Sequence, residues 1–320
     1  MMKLQRLIRT FALCILIASS WMVSSCDVFH EDLPECRLFV QFKYDYNMLS
    51  TDAFHTQVDK VTLYVFSKEG IFLFKQTGEG SALSTGNYRM EVKLPIGEYQ
   101  FMAWTGVHDS YEVSSLEENV STIEDLKLKV KRDPSLVINK ELEPIWHGKA
   151  IDVNFTGTKE QTETIDLVKD TKKIRFVFQS TSQTNGTIDM NDYTYEIIES
   201  NGYLNYDNSL LKDDILSYQP YYMEQRESSI IAVELNTMRL MADRKTRFIV
   251  THKITGEKVL DINIINFLAM TEMERYKWGE QEYFDRQDEY IIAFLLNTSD
   301  GSWVSVGINI NGWTYYSQTE

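Results

Sequence analysis

Short stretches in which apolar and polar residues alternate run along most of this 320-residue chain. The first stretch extends from Arg37 to Tyr46. One side of it holds Leu38, Val40, Phe42, Tyr44 and Tyr46, and the other holds Phe39, Gln41, Lys43 and Asp45. A period of two residues is that of a β-strand with one buried face. The pattern therefore predicts a chain that folds mainly into β-sheet.

Turn signals divide the first half of the pattern into seven predicted strands. The strands are expected at residues 37–46, 58–66, 71–77, 88–94, 99–104, 126–130 and 151–155. Ser67-Lys68-Glu69-Gly70 and Pro95-Ile96-Gly97 are typical hairpin turns, and Ser121-Thr122-Ile123-Glu124 has the spacing of a capped helical turn. Seven short strands with turns between them indicate a β-sandwich over residues 37–157.

The second half repeats this pattern and predicts a second β-sandwich. Its strands are expected at residues 162–168, 173–179, 193–199, 229–240, 247–253, 258–264, 289–296 and 303–310. Leu268 to Asp285 breaks the alternation and predicts one helix laid across the sheets. Because Gly157 to Glu160 forms a plausible joint, the fold class is all-β, with domains at residues 37–157 and 158–320.

The first 25 residues have the composition of a secretory signal peptide. Lys3, Arg6 and Arg9 precede an apolar run, and Val23-Ser24-Ser25 closes the segment before Cys26. These last four residues resemble a bacterial lipobox, which implies that Cys26 is lipidated and becomes the first residue of the mature chain. Ordinary cleavage near Ser25 is the alternative. A transmembrane helix is the weaker interpretation because the uncharged run is too short. If Cys26 is lipidated, residues 26–36 form a tether between the lipid and the folded body.

Charge and cysteine content exclude several classes of protein. The net charge is −15, and it becomes −18 when the three basic residues of the signal peptide are removed. A chain this acidic is not expected to bind nucleic acid. Of the three cysteines, Cys14 leaves with the signal peptide and Cys26 is acylated, which leaves Cys36 without a disulfide partner. A buried thiol is the expected role of Cys36 rather than a reactive one.

No enzyme template is met in the sequence. A glycine-rich phosphate loop, a G-x-S-x-G elbow and an H-E-x-x-H helix are all missing from the 320 residues. The five histidines lie far apart, at positions 30, 55, 108, 147 and 252. Carboxylate pairs such as Glu280 and Glu282 have the chemistry for acid–base catalysis, but an acidic chain contains many such pairs by chance. We therefore expect a protein that is not an enzyme and that has no cofactor or metal site.

The lipobox and five further strings together resemble the FimB-type fimbrial anchor lipoproteins of Bacteroidota. The five strings are residues 38–47, the hairpin Leu94-Pro95-x-Gly97-x-Tyr99-x-Phe101-x-Ala103-Trp104, Ile145-Trp146-His147-Gly148, Asp285-Arg286-Gln287 before Tyr290, and Ile310-Asn311-Gly312-Trp313. This resemblance implies two transthyretin-like β-sandwiches and attachment to the outer membrane through lipid. It also implies a structural role at the base of a fimbria, with a stalk subunit (pilin) as partner.

The first strand acquires a specific role under this hypothesis. In related pilins an N-terminal strand is removed, and a strand from the neighbouring subunit takes its place. The strand Arg37 to Tyr46 follows the lipidated residue closely, so an anchor is expected to keep it and thereby end growth of the polymer. Sheet edges elsewhere, including the C-terminal hairpin, are expected to contact the last pilin.

Two aromatic strings keep other functions open. Trp146-His147-Gly148 could line a ligand site, although a packed tryptophan beside a glycine turn explains it better. Tyr218-Gln219-Pro220-Tyr221-Tyr222 has the composition of a carbohydrate-stacking surface. The alternative function is therefore a surface glycan-binding lipoprotein, and a surface hydrolase would need a cleft with convergent polar groups.

Overall fold

The computed structural model describes residues 36–180, 188–226, 229–269, 278–297, 304–310 and 313–316. Strands predominate in this part of the chain, which confirms the all-β prediction. The strands of the first half are β1 (Arg37–Lys43), β2 (Lys60–Ser67), β3 (Phe72–Glu79), β4 (Met90–Val92), β5 (Gly97–Thr105), β6 (Tyr111–Val113), β7 (Leu128–Val130), β8 (Val137–Ile138), β9 (Trp146–Phe155) and β10 (Glu160–Lys169).

The second half continues with eleven described strands and two described helices. The strands are β11 (Lys172–Ser180), β12 (Tyr193–Glu199), β13 (Tyr203–Leu204), β14 (Leu216–Tyr218), β15 (Tyr222–Arg226), β16 (Ile230–Thr237), β17 (Arg247–His252), β18 (Lys258–Asn263), β19 (Glu289–Asn297), β20 (Val304–Ile310) and β21 (Trp313–Tyr316). The α-helices are α1 (Phe54–Gln57), in the first half, then α2 (Ile264–Ala269) and α3 (Glu280–Arg286). Within the described residues, no helix has the length and apolar character needed to cross a membrane.

The first half is built on a seven-stranded sheet in the order β3-β2-β5-β9-β10-β1-β4. One face of this sheet encloses an apolar cluster, here called the first core. Leu73 and Phe74 of the edge strand β3 pack against this cluster. Its buried strand residues include Leu38, Val40, Phe42, Val61, Leu63, Val65, Met90, Val92, Phe101, Ala103, Val153, Phe155, Ile165 and Leu167. Residues of both edge strands of the sheet thus share one core with its central strands.

The sheet curls until its two edge strands, β3 and β4, lie close together. The side-chain amide Nε2 of Gln76 on β3 donates a hydrogen bond to the carbonyl oxygen of Glu91 on β4, at 3.1 Å. A Cβ atom at Gly78 would lie 2.1 Å from the hydroxyl oxygen of Tyr88, so only glycine allows the tyrosine to approach β3 this closely. The first core is thereby enclosed on both sides by one sheet.

The second half pairs a six-stranded sheet, β15-β16-β11-β19-β20-β21, with a five-stranded sheet, β18-β17-β12-β14-β8. The rings of Phe176 on β11 and Phe248 on β17 stack between the two sheets, with centroids 3.6 Å apart. A larger apolar cluster, the second core, surrounds this contact. It also contains Trp104 and Leu128 from the first half, so the two halves share apolar packing.

Two short strands of the first half pair with strands of the second half. β8 lies parallel to β14 in the five-stranded sheet, and β7 lies between β6 and β13 in a separate three-stranded sheet. The division into domains 37–157 and 158–320 stays a prediction. β10 follows this division in sequence, yet it pairs with β9 and β1, so the sheet pairing favours a boundary after Lys169.

The single helix expected over residues 268–285 is replaced by two helices, so helical structure is found there but its continuity is wrong. α2 ends at Ala269, α3 begins at Glu280, and Trp278 and Gly279 precede α3 outside any helix. Residues 270–277 lie outside the described residues. The capped turn expected at Ser121 to Glu124 is a 3₁₀ turn at Ile123–Asp125, where Thr122 and Asp125 form the capping box one residue later than predicted. The turn leads into β7 as expected.

Candidate functional site

The first strand lies inside a sheet, with a paired neighbour on each side. Seven residues of β1 pair in parallel with β10, from Arg37 opposite Glu160 to Lys43 opposite Asp166. On its other side, Leu38 to Val40 pair with the antiparallel strand β4. Interior strands have their backbone hydrogen-bonding groups engaged on both sides, whereas edge strands do not. β1 is therefore an integral part of the first sheet.

The apolar face predicted for this strand is buried as expected over most of its length. Leu38, Val40, Phe42 and Tyr44 have exposed fractions of 4% or less. The strand itself ends at Lys43 rather than at Tyr46, which corrects the predicted boundary. The reason is that the backbone turns at Tyr44, whose N–H donates to the Asp52 carboxylate instead of a neighbouring strand.

The outer face of β1 carries one unexpected buried side chain. Phe39, predicted on the polar side, is only 7% exposed. The guanidinium carbons of Arg37 and Arg89 lie 4.8 and 4.5 Å from the centre of its ring, a cation–π arrangement on an outer face. Arg37 also binds Glu91 through two hydrogen bonds of 2.8 and 2.6 Å, and Arg89 pairs with Glu160 at 2.6 Å. These contacts join β1 to β4, and the Arg89–Glu160 pair passes over β1 to connect the segment before β4 with β10.

The segment that follows β1 attaches it to the second half of the molecule. The guanidinium group of Arg286, on α3, lies between the rings of Tyr46 and Trp278, at 4.1 and 4.6 Å. Arg286 also donates to the Glu282 carboxylate at 2.8 Å and to the carbonyl oxygen of Asn47 at 3.4 Å. Glu282, considered as part of a catalytic pair with Glu280, is thus an ion-pair partner within its helix. Removing β1 and its following loop would expose surface in both halves.

Buried charges fill the joint between β10 and β11. We call Asp170, Lys172, Asn208, Arg239 and Asp285 the joint cluster. Asp170 and Lys172 are fully buried, and Asn208 donates to the Asp170 carboxylate at 3.0 Å. Arg239 binds Asp285 through two hydrogen bonds of 2.8 and 2.7 Å. These residues come from four separate segments, so their meeting could not be predicted from local sequence patterns.

Burial changes the proton affinities in the joint cluster. It raises the pKa of Asp170 to about 7 and lowers the pKa of Lys172 to about 8. The second carboxylate oxygen of Asp170 and the side-chain oxygen of Asn208 have no hydrogen-bond partner among the described residues. The Lys172 ammonium donates to the carbonyl oxygens of Lys169 and Asp285, at 2.9 and 3.3 Å.

Trp146, His147 and Gly148 lie in the interior and form no open ligand site. Trp146 and His147 are 1% and 4% exposed. The Nε2 atom of His147 lies 2.7 Å from the carbonyl oxygen of Tyr206, and burial lowers the pKa of this histidine to about 4. A Cβ atom at Gly148 would lie 2.8 Å from Ile165, so glycine is needed for close packing. The packing interpretation is confirmed for Trp146 at the start of β9, whereas the expected glycine turn is wrong because Gly148 lies within the strand and pairs with Leu167.

The tyrosines of residues 218–222 do not form a common stacking surface. Tyr218 is fully buried and its hydroxyl group donates to Asn201 at 2.7 Å. Tyr221 donates to Glu234 at 3.0 Å, and Tyr222 is 43% exposed. The carbohydrate-stacking interpretation of this string is therefore wrong, because its three rings have different environments.

The remaining candidate residues lie apart from each other. Cys36 is exposed rather than buried, and its thiol donates to the carbonyl oxygen of Gly157 at 2.7 Å. In the described part of the chain, no three His, Cys, Asp or Glu side chains come together in a way that could hold a metal ion. Cys26, predicted to be lipidated, lies outside the described residues.

Comparison with known proteins identifies relatives along nearly the whole chain. Residues 33–319 match the family described as fimbrillin-A associated anchor proteins Mfa1 and Mfa2. The chain is also 21% identical over 305 residues to the minor fimbrium anchoring subunit Mfa2 of Porphyromonas gingivalis. That alignment covers 92% of this chain and 91% of the relative.

Solved structures with the same fold include one of high sequence identity. A crystal structure from Bacteroides thetaiotaomicron, named as that of candidate polysaccharide binding proteins, is 60% identical with a TM-score of 0.84 and covers 89% of this chain and 99% of that one. The fimbrial anchor protein Mfa2 from Porphyromonas gingivalis superposes with a TM-score of 0.72 at 18% identity, covering 88% and 99% of the two chains. At this low identity, the second match shows a shared fold.

Proposed function

The chain belongs to the family of fimbrillin-A associated anchor proteins, and from this premise we propose that it attaches a fimbria to the outer membrane and ends the polymer at its base. In this role it is a cell-surface lipoprotein and not an enzyme. The observation that carries the proposal is the position of β1 inside the first sheet, directly after the tether.

Attachment is assigned to lipid on Cys26. A charged region, an apolar run and Val23-Ser24-Ser25 precede this cysteine, and it lies only ten positions before Cys36 at the start of the described body. Each buried methylene of an acyl chain contributes about 0.8 kcal/mol, so several chains hold a protein far better than one. Ten extended residues span at most about 35 Å, which keeps the tether end of β1 near the membrane.

Retention of β1 explains how the same subunit would end the polymer. Full burial of each of Leu38, Val40, Phe42 and Tyr44 contributes about 1.5–3 kcal/mol. Their sum is comparable with the roughly 5–15 kcal/mol that separates a folded domain from its unfolded state. Losing β1 would therefore open the first core. While β1 stays, its place in the sheet is not available to a strand from another subunit.

The sequence after β1 also favours retention. From Tyr44 to Asp59 the chain contains no lysine or arginine, and the nearest basic residue, Lys43, is held in the sheet as the last residue of β1, opposite Asp166. The side-chain amide of Asn47 further closes the loop by donating to the carbonyl oxygens of Tyr44 and Thr51, at 2.9 and 2.8 Å. A strand held in this way stays connected to the body.

Contact with the last stalk subunit is assigned to an edge strand of the second half. The outer edges of its two described sheets are β15 and β21 in one, and β18 and β8 in the other. The side chain of Gln225 on β15 is hydrogen-bonded to Met190 and Ile188 beside it, at 2.9 and 2.8 Å. Since β8 has only two residues, β18 and β21 are the better templates for strand addition.

Two experiments test the proposal. The first compares the full protein with Cys26→Ala after cell fractionation: the variant should move from the membrane to the soluble fraction. A variant that stays membrane-bound without detergent would contradict lipid attachment. In the same cells, the unaltered protein purified from membranes in mild detergent should bring a ladder of stalk subunits with it.

The second experiment tests retention of β1. A specific protease site is inserted between Tyr46 and Phe54, with a matched site at the exposed turn Thr255-Gly256 as the control. After cleavage, the fragment that contains β1 should remain with the body through size-exclusion chromatography. If the fragment dissociates while the circular dichroism of the body is unchanged, this chain should be grouped with subunits that exchange their first strand.

A second candidate function is glycan binding at the cell surface. It is favoured by the 60% identity to the Bacteroides thetaiotaomicron structure named for polysaccharide binding. Because the tyrosines of residues 218–222 do not supply a stacking surface, a glycan would have to bind elsewhere. Co-purification of stalk subunits, with no saccharide bound, would favour the anchor alone.

A further inference from the structure

An open cleft of about 420 Å³ lies on the outside of the first half. Its floor is the face of β2 and β3 opposite the first core, and its walls include Val107 and Val113. The floor residues are Lys60, Thr62, Tyr64, Lys75, Thr77 and Glu79. A volume of this size is within the range of small-molecule sites, which occupy about 300–1,000 Å³.

Strand pairing arranges the floor residues in three cross-strand rungs. Lys60 lies opposite Glu79, Thr62 opposite Thr77, and Tyr64 opposite Lys75. Each rung thus supplies at least one group that can form hydrogen bonds, and two rungs supply an ammonium group. Since the order is set by the β2–β3 register, these groups have fixed spacing along the cleft.

The two lysines of the cleft form no close ion pair, although Glu79 lies opposite Lys60. Neither Lys60 nor Lys75 forms an ion pair with a carboxylate of the described residues, although both belong to a chain with a large excess of acid. Lys68, in the turn between the same two strands, does pair with Glu98. Two ammonium groups that lack a carboxylate partner in the described structure provide attraction for a carboxylate group on a ligand.

The uncharged groups fit a different part of the same ligand. Thr62 and Thr77 share a hydrogen bond of 3.1 Å, in which one hydroxyl proton is used and the other remains available. Tyr64 is 4% exposed, and burial raises the pKa of its hydroxyl group, so it stays protonated and able to donate. The valine walls offer apolar contact. Hydroxyl groups, apolar C–H surface and a carboxylate occur together in acidic sugars.

We propose that this cleft binds a uronic-acid unit of a saccharide. Lys75, whose rung carries no carboxylate, holds the sugar carboxylate, and the threonine pair and Tyr64 bind ring hydroxyl groups. Lys60 and Glu79, at the other end of the cleft, bind further hydroxyl groups. The site is formed only by the first half of the chain. It does not depend on the anchoring role, which is tested separately by fractionation of Cys26→Ala.

Binding to the full-length protein in detergent is measured by saturation-transfer difference NMR with three probes. D-glucuronate carries both hydroxyl groups and a carboxylate, D-glucose lacks the carboxylate, and acetate lacks the hydroxyl groups. We expect glucuronate to bind with the highest affinity of the three. Equal binding of glucuronate and acetate would show that the cleft binds simple anions and does not recognise the sugar hydroxyl groups. Equal binding of glucuronate and glucose would show that the lysines do not contribute to recognition of the carboxylate. Either result overturns the proposal.

Matched variants then locate the site. The double variant Lys60→Gln with Lys75→Gln should weaken glucuronate binding about tenfold, as expected for loss of charge-assisted hydrogen bonds. Lys93→Gln is the control, since it removes an exposed charge elsewhere in the same half and should leave binding unchanged. Unaltered binding by the double variant, or absence of glucuronate binding to the starting protein, would contradict the assignment. Circular dichroism of each variant shows that the fold is retained.

Discussion

Replacement of Asp170 by asparagine should make the stability of this protein less sensitive to pH. The carboxyl group of Asp170 is fully buried in the joint cluster, and burial raises its pKa from 3.8 to about 7. Between these two values the folded protein keeps a proton that the unfolded chain releases. The free energy of unfolding must therefore fall as the pH rises from about 4 to 7.

The size of the effect follows from the same two values. At about 1.4 kcal/mol per pH unit, the interval from 3.8 to about 7 corresponds to roughly 4 kcal/mol of lost stability. The amide side chain of Asp170→Asn cannot ionise, so the free energy of unfolding of the variant does not fall in this way as the pH rises. Relative to the unaltered protein, Asp170→Asn should gain stability steadily from about pH 4 to 7 and level off above that range.

Urea unfolding followed by tryptophan fluorescence, at pH values of roughly 4.5, 5.5, 6.5 and 7.5, measures this difference. Asp207→Asn is the control for which no pH dependence is expected in this range. Burial favours protonation of Asp207, but hydrogen bonds from Ser209 outweigh it and hold the pKa of this exposed carboxyl below its usual value. Since this carboxyl is ionised in both the folded and the unfolded protein well above 3.8, the difference between Asp207→Asn and the unaltered protein should not change over this pH range. A difference between Asp170→Asn and the unaltered protein that does not change with pH would refute the reasoning.

Three further predictions concern packing around the first strand. Val40→Ala should lower the free energy of unfolding by about 2–3 kcal/mol because it opens a cavity in the first core. The control, Gln41→Ala on the exposed face, should change it by less than about 0.5 kcal/mol. Equal effects of the two variants in urea unfolding would contradict the burial of the Val40 face of β1. Gly78→Ala should cost about 1–3 kcal/mol through the clash with Tyr88, and Gly78→Ala combined with Tyr88→Phe should recover part of it. If the double variant is no more stable than Gly78→Ala alone, the predicted steric clash between residue 78 and Tyr88 is contradicted. Arg286→Lys should weaken the contacts of this side chain with the rings of Tyr46 and Trp278 and so speed proteolysis of the loop after β1. Arg226→Lys is the control. If Arg286→Lys and the control are cleaved at the same rate, the Arg286 contacts do not hold the loop.

Local patterns predicted the parts of the fold that depend on single strands. The alternation from Arg37 onward identified the buried face of β1, and the turn residues after Ser67 marked the β2–β3 hairpin. The second hairpin, expected across Pro95-Ile96-Gly97, is wrong: β4 pairs with β1, and β5 pairs with β2 and β9, so these two strands form ladders with distant segments and not with each other. Six short strings, none specific alone, pointed to the correct family because their order along the chain was kept. These features depend on residues that are close together in the sequence, so sequence patterns can predict them.

Features that depend on distant pairing could not be predicted in this way. β6, β8 and β13 have only two or three residues each, and their partners lie up to about eighty residues away in the chain. The side chain of Phe39 was expected outside, and it is buried only because two arginines from β1 and the segment before β4 cover it. The joint cluster likewise requires the whole fold to bring its five residues together.

The parallel pairing of β1 with β10 determines how this molecule carries mechanical load. Both strands begin at the end of the body where the tether enters, and β10 continues at its far end into the second half. If lipid holds the tether and a fimbria pulls on the second half, the two strands are drawn in opposite directions along their own axes. Their hydrogen bonds then bear the pull together in shear, whereas a peeling geometry would break them one after another. The first sheet is thus oriented to resist extraction of β1 under such a load.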